Sequence, residues 1–378
     1  MSQLAMLPVD ASKRKTQVAI FGIGTASPPT ISQEEILEVA IEISRANPEQ
    51  QTWLNRVYLR GGIERRSVVL VGENNQLESL RQFYPLPVDA NDRGPTTAKR
   101  MERYAIEAPL LAAEAAANAL IDSGIEPRAI THLITASCTG FFAPGLDAAL
   151  INTLGLARDV KRLHVGFMGC HAAFNALAAA RDAVLADPSA NVLVCCVELC
   201  SLHMAYGWDP GKLVANALFA DGAAAVVVGR SSKNQTGDLQ LRDTSSFLLP
   251  GSLDAMAWRI GDHGFEMTLL PSVPQLIRQH LRGWCENWLA THDLQLGDIA
   301  GWAIHPGGPK VLSAVAEALD LPPDALRYSR KVLAQHGNMS SATVLFIVEE
   351  MAEGIADGPI VAIGLGPGLT AEGMLLHR

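Results

Sequence analysis

Aromatic side chains are scarce in this sequence: Phe, Trp and Tyr make up 6% of it, and charged residues only 18%. The shortage does not signal disorder, because 48% of the residues are hydrophobic, with alanine, glycine and valine dominant. Such a chain suits helices packed closely on apolar strands. Its 378 residues are enough for two domains, or for one domain with two similar halves. No apolar run reaches the roughly eighteen residues of a membrane span; Pro109–Ile121 comes closest and is interrupted by Glu114 and Asn118. There is no cationic excess, and a net charge of -9 argues against nucleic acid as the main partner. It still leaves room for a local basic patch that meets a phosphorylated ligand. The six cysteines show no small-domain disulfide spacing, so a reduced, cytoplasmic setting is expected. Neither "GIGTAS" near Gly22 nor "GLGPGLTAEG" (Gly364–Gly373) completes a dinucleotide or P-loop motif, which removes support for NAD, flavin or ATP chemistry. Residues 1–16 lack the order of a secretory signal and are expected to be a flexible lead-in.

What is present is a regular alternation. "QVAIFGIG" (Gln17–Gly24) opens as a strand, and "SQEEILEVAIEISRA" (Ser32–Ala46) follows with Ser32 and Glu35 at capping-box spacing. A helix over Met101–Ser123 precedes "THLITAS", "PGLDAALINTLG", "RLHVGF" and "CHAAFNALAAARDAVLAD", which read strand, helix, strand, helix. "NVLVCCVEL" and "GAAAVVVG" are continuous apolar strands, the mark of sheets buried on both faces. The polar run Arg230–Asp238 divides the chain into expected halves, 17–235 and 236–378. Beyond it come further strands, helices from Val273 to Ala290 and over "GPKVLSAVAEAL" and "NMSSATVLFIVEEMAEG", and a last strand, "PIVAIGLG". Two related α/β halves are expected, each with its own mixed sheet covered by helices.

Three polar residues stand where such folds build sites. Cys170 lies between a strand and an alanine-rich helix, where free backbone N–H groups would favour thiolate; a small buried hydrophobe is the alternative. His305 ends the strand of "GWAIHPGGPKVL", a position suited to a base or oxyanion donor, or to a structural loop. Asn338, between Gly337 and a helix expected to be capped by Ser340, is either a turn asparagine or an amide donor. Cys195, Cys196, Cys200 and His203 fit no zinc spacing and read as core. Cys138, in "TASCTG" at a strand end, is a candidate to line a cavity. Arg56, Arg60, Arg65 and Arg66 form a basic cluster, either a solvated helix face or a polyphosphate contact.

At Cys170, His305 and Asn338 the sequence resembles the type III polyketide synthases, the chalcone and stilbene synthase-like branch of the condensing enzymes. "SCTGFFAPGLD", "HVGFMGCHAAFNA", "ALFADGAAAVVVG", "GWAIHPGGPKVL", "HGNMSSATVLFI" and "GLGPGL" carry the match from about Gln17 to Leu375. The resemblance implies a thiolase-like duplicated αβαβα fold with mixed five-stranded sheets, and a homodimer. It implies Cys170 as acyl-accepting nucleophile with His305 and Asn338 completing its triad, and Phe219 and Phe265 as gatekeepers. Arg56 and Arg60 would meet coenzyme A phosphates. Malonyl-CoA and an acyl-CoA starter would be the substrates, with no bound cofactor, metal or carrier protein.

The chain departs from the plant enzymes in the cavity-forming set, for which Cys138, Ala143, Cys200, His203 and Ser340 are candidates. "FAPG" puts Ala143 where the plant enzymes carry a methionine that crosses into the partner's cavity. "GFMGCHAAFNA" resembles the bacterial branch, whose members take fatty acyl starters and release alkylpyrones or alkylresorcinols. The alternatives are an aromatic-starter chalcone synthase-like enzyme, a beta-ketoacyl carrier-protein synthase III-like initiator, and a scaffold that keeps the fold without turnover.

Overall fold

The computed structural model describes residues 17–72, 76–231, 239–352, 354 and 357–378. The expected lead-in and most of the expected boundary, 232–238, lie outside these. Nine strands form one sheet, in the order Gly301–Ile304, Pro359–Gly366, Thr370–His377, Leu239–Leu248, Val18–Ala26, Asp221–Arg230, Val192–Leu199, His132–Ser137 and Lys161–Gly166. The sheet is mixed. Gly301–Ile304 runs parallel to Pro359–Gly366, and His132–Ser137 runs parallel to both of its neighbours, while the other pairs are antiparallel. The two halves join through a short seam, Ala19–Gln240 and Ile20–Leu239.

Helices Ala172–Ala186 and Thr343–Ala352 pack between the halves, and their buried residues form one central cluster with strands of both. Helix Thr97–Ser123 covers the outer face of the N-terminal half, and helices Val273–Ala290 and Pro309–Leu319 cover that of the C-terminal half. The result is the αβαβα layering. Small residues make it possible. A Cβ at Gly24 would stand 2.2 Å from the backbone nitrogen of Ala119, so helix and strand meet at backbone contact. Adjacent Cys195 and Cys196 point to opposite faces, one into the outer core and one into the central core, so they share no ligand position.

Three differences from expectation have physical causes. The N-terminal half contributes five strands to the sheet but the C-terminal half only four, because Met256–Gly261 and Gly264–Leu269 pair with each other as a separate hairpin. The glycine-rich run after Pro359–Gly366 is a tight turn, Pro367–Leu369, leading into another strand, Thr370–His377. The helix expected to start at Cys170 begins at Ala172, after a 3-10 turn, Gly169–His171. Among the described residues, no helix is long and apolar enough to cross a membrane.

Candidate active site

Cys170 sits in that 3-10 turn, 5% exposed. The turn is set by two residues in the left-handed region, Phe167 (φ 60°) and Gly169 (φ 70°). A Cβ on Gly169 would lie 2.6 Å from Pro367 Cδ, so glycine is required for the loop to close against the Pro367 turn. Burial pushes the Cys170 thiol up to about 12, and the neighbouring Ser340 and Asn338 side chains oppose this only in part. The expectation of a standing thiolate is thereby corrected. Free N–H groups stabilise the anion by at most a kcal/mol or two, and removing a sulfur anion from water costs more.

Asn338 is fixed through its backbone: its N–H donates to Leu218 O at 3.0 Å and its carbonyl accepts from Ala220 N at 2.8 Å. Its side-chain Oδ1 accepts from Ser340 N at 2.9 Å, the turn role considered for it. That bond orients the amide, and Nδ2 is buried beside Cys170 with no partner within full hydrogen-bond geometry among the described residues. His305, 1% exposed, follows strand Gly301–Ile304, and its N–H donates to Ile363 O at 2.8 Å. Both of its ring nitrogens also lack a partner. Burial, assisted by the nearby His171, lowers its pKa to about 3, so the ring is neutral. Buried polar atoms are nearly always paired. His305 and Asn338 are thus buried with hydrogen-bonding capacity left unused among the described residues.

Cys170, Cys138, Cys200, Phe219 and Ser340 line one small cavity together with Met256, Trp258 and Met267. Its free volume is about 20 Å³, enough for a single water molecule. Cys200, Phe219, Trp258 and Met267 also line a larger, open cavity of about 620 Å³, to which His203 and Phe265 belong. Phe219 therefore lines both the larger cavity, termed the vestibule, and the smaller, termed the chamber. The basic residues on the vestibule wall are Arg66, Arg93 and Lys212. Arg56 and Arg60 do not reach it; they are exposed, Arg56 on helix Pro48–Leu59 and Arg60 just after its end. Ala143 is exposed and lines neither cavity. Near it Phe141, Leu163 and Met168 are 40%, 47% and 44% exposed, the last two in and after the edge strand Lys161–Gly166.

Sequence reasoning missed Glu198. This carboxylate, 0% exposed, accepts from Ser341 Oγ at 2.6 Å, Thr139 Oγ1 at 2.7 Å and Cys138 N at 3.0 Å. Burial raises its pKa, and these bonds hold it down. A lone carboxylate in the otherwise apolar run "NVLVCCVEL" was the available signal. Neutral buried histidines also set the acid limit of the fold. His305 and His203 both fall from 6.5 to about 3. Below pH 6.5 the unfolded chain takes up protons that the folded chain refuses, so stability falls with pH down to about 3. The slope is about 1.4 kcal/mol per pH unit for each ring. Asp221, raised to about 6 by burial, works the other way, so the decline is read as the difference in urea stability between the wild type and His203→Phe from pH 7 to 4.5; a difference that does not change with pH would contradict neutral burial.

Comparison with known proteins agrees with the geometry. Residues 9–232 match the chalcone and stilbene synthases, N-terminal domain, and residues 240–378 match the C-terminal domain. The chain belongs to the chalcone and stilbene synthase family. It is 36% identical over 370 residues to 1,3,6,8-tetrahydroxynaphthalene synthase of Streptomyces peucetius subsp. caesius, covering 96% of this chain and 93% of that one. It is 33% identical over 383 residues to the alpha-pyrone synthesis polyketide synthase-like Pks18 of Mycobacterium tuberculosis, covering 98% and 93%. Its fold is similar to the crystal structure of PKS-I from the brown alga Ectocarpus siliculosus, with a TM-score of 0.88, 30% identity, and coverage of 97% and 100%. As a type III polyketide synthase of this family, the chain is a condensing acyltransferase with the thiolase-like fold.

Proposed function

We propose that Cys170 accepts an acyl group from a medium- or long-chain acyl-CoA, that His305 and Asn338 direct its extension by malonyl-CoA, and that the product is an alkylpyrone or alkylresorcinol. The observation that carries the reading is a buried thiol beside the Ser340 and Asn338 side chains, in a cavity that shares Phe219 with the larger one; His305 joins them in this reading by its motif position in the family. Because thiol and imidazole are both neutral at rest, the proton moves as the bond forms. His305 takes it from Cys170 as the sulfur attacks the thioester carbonyl, and coenzyme A leaves as the thiol after receiving it.

Malonyl-CoA then loses carbon dioxide, and its thioester oxygen becomes an enolate oxygen. The Asn338 Nδ2 donor and a His305 ring N–H suit that charge, since fixed donors in a dry site need no reorganisation. The enolate carbon attacks the Cys170 thioester, and sulfur departs with the electron pair. Met256 and Met267, flexible and polarisable, are lining residues that can give way to an alkyl chain. The similarity to a relative named for alpha-pyrone synthesis supports the product class. The reading includes a homodimer, supported by the exposed apolar edge at Phe141, Leu163 and Met168; sedimentation as a single 40.4 kDa chain would remove that part.

The test is incubation with malonyl-CoA and a panel of acyl-CoA starters, aromatic ones included, with products identified by mass. Starters of eight or more carbons are expected to be preferred. Equal product from malonyl-CoA alone, or from aromatic starters, would defeat the acyl-starter assignment. In the same assay Asn338→Ala should slow malonyl-CoA decarboxylation by about 10²–10³-fold, the effect of losing one oxyanion donor, with less effect on acyl loading.

A further inference from the structure

The hairpin of Met256–Gly261 and Gly264–Leu269 is the wall between Cys170 and the vestibule. Met256, Trp258 and Met267 face the thiol chamber, and Trp258, Phe265, Glu266 and Met267 face the open side. The chamber holds about one water molecule, so an acyl chain fits only if its lining moves, and the hairpin supplies three of the lining side chains. The hairpin tip is pinned to Thr97, whose N–H donates to Asp262 O at 2.8 Å and whose Oγ1 accepts from Gly264 N at 2.8 Å. Motion is thereby directed to the middle of the hairpin, and two bonds hold the middle. Trp258 Nε1 donates to Cys138 O at 2.7 Å. The other attachment runs through His203.

His203 is 7% exposed, at the end of the 3-10 turn Cys200–His203. Its Nε2 lies 2.7 Å from Thr139 O, and its Nδ1 lies 2.9 Å from Phe265 N. A carbonyl can only accept and a backbone N–H can only donate. The partners therefore fix the ring as neutral with its proton on Nε2. The same ring stacks on Phe265, with centroids 4.3 Å apart and planes 16° apart, and meets the edge of Trp258 at 5.7 Å. The lowered pKa of about 3 agrees with this single protonation state. By contrast the pair Lys212–Glu266, 3.0 Å apart on the vestibule side, is partly exposed and holds little.

We propose that His203 is the positioning residue that latches the hairpin over Cys170, and that releasing this latch sets which acyl chain lengths reach the sulfur. One histidine ties the Thr139 carbonyl, beside the chamber residue Cys138, to the backbone of the gate residue Phe265. A long acyl group must break or stretch that tie to lodge behind Phe265; a short one need not. This rests on the reading of Cys170 as the acyl acceptor, but the latch itself can be tested without turnover.

Two variants separate the latch from mere packing. His203→Phe keeps an aromatic ring against Phe265 and leaves Thr139 O and Phe265 N unpaired. His203→Gln keeps a donor and an acceptor and loses the stacking face. Iodoacetamide labelling of Cys170, followed by peptide mass at pH 8.5, is expected to be about tenfold faster in His203→Phe, the opening that one lost buried hydrogen bond permits. His203→Gln should fall between the two. In turnover, His203→Phe should lower KM for a decanoyl starter relative to an acetyl starter while changing kcat less.

Hydrogen exchange on the unmodified protein gives a third readout, independent of how the variants fold. The Phe265 amide is expected to exchange faster once decanoyl-CoA has acylated Cys170 than in the free protein. Wild-type labelling rates in both variants, or unchanged Phe265 exchange in the acylated protein, would overturn the latch. If no acyl-CoA loads Cys170, the functional reading fails by itself, and the labelling rates still decide the latch.

Discussion

Cys170→Ala is expected to abolish product formation, by about 10³-fold or more, the scale seen when a nucleophile is removed from a unit that acts together. The fold should survive, because the change removes one sulfur beside a cavity of about 20 Å³. A small deletion of that kind costs about 1 kcal/mol. The informative part is what persists. In the proposed mechanism decarboxylation of malonyl-CoA uses the His305 and Asn338 donors and no covalent sulfur, so it should continue in the variant while acyl loading and chain extension stop. Carbon dioxide release, bound acyl mass and product mass measure the three separately. A variant that still forms extended product would place the acyl acceptor elsewhere, and Cys138 and Cys200 line the same chamber.

The largest stability effect is expected at Arg66, which is 2% exposed. Its guanidinium donates to Asn216 O at 2.6 Å, Ala217 O at 2.8 Å and Phe219 O at 2.9 Å, and twice to Gln33 Oε1, at 3.0 and 2.7 Å. Helix Pro210–Leu218 ends at these carbonyls, which have no partner inside the helix. Arg66 thus caps a helix C-terminus with a full positive charge, and in doing so holds the backbone of Phe219, which lines both cavities. Burial lowers its pKa from the usual arginine value, and Tyr58 and Asp221 counter that.

Arg66→Met would fill similar space and strip the Asn216 and Phe219 carbonyls of their donor, while Ala217 O keeps its bond from Gln33 Nε2 at 2.9 Å. A loss of about 3–5 kcal/mol is expected, the range for breaking a buried charged arrangement, with a raised KM because Phe219 loses its anchor. Arg66→Lys should recover only part, since an ammonium cannot reproduce the planar fork. A urea midpoint within error of wild type in Arg66→Met would show the cap to be dispensable.

Arg66 also shows where sequence reading stops. In the sequence it stands with Arg56, Arg60 and Arg65 as a basic cluster, and either reading of that cluster leaves it in water. Three of the four follow that pattern: Arg56, Arg60 and Arg65 are exposed. Arg66 departs because its acceptors lie about 150 residues further along the chain. Trp258 and Glu198 were hidden for the same reason, with partners at Cys138, 120 and 60 residues away. The thiolate expectation at Cys170 failed differently. A local helix-end field was weighed without the burial that opposes it, and burial depends on what the rest of the chain brings.

The sequence by itself determined the layered α/β architecture, because hydrophobic periodicity, caps and glycine turns act over a few residues. The capping box of Ser32 and Glu35, the helix Val273–Ala290 and the strand Pro359–Gly366 stand where those local signals put them. It also singled out Cys170, His305 and Asn338, each beside a strand end or a glycine turn. Only the tertiary structure decided that burial disfavours charge on the thiol and the imidazole, that Phe219 lines both cavities, and that His203 is hydrogen-bonded to both Thr139 and Phe265. Protonation, free volume and the pairing of a buried polar atom are properties of an environment, and that environment is assembled from segments far apart in the chain.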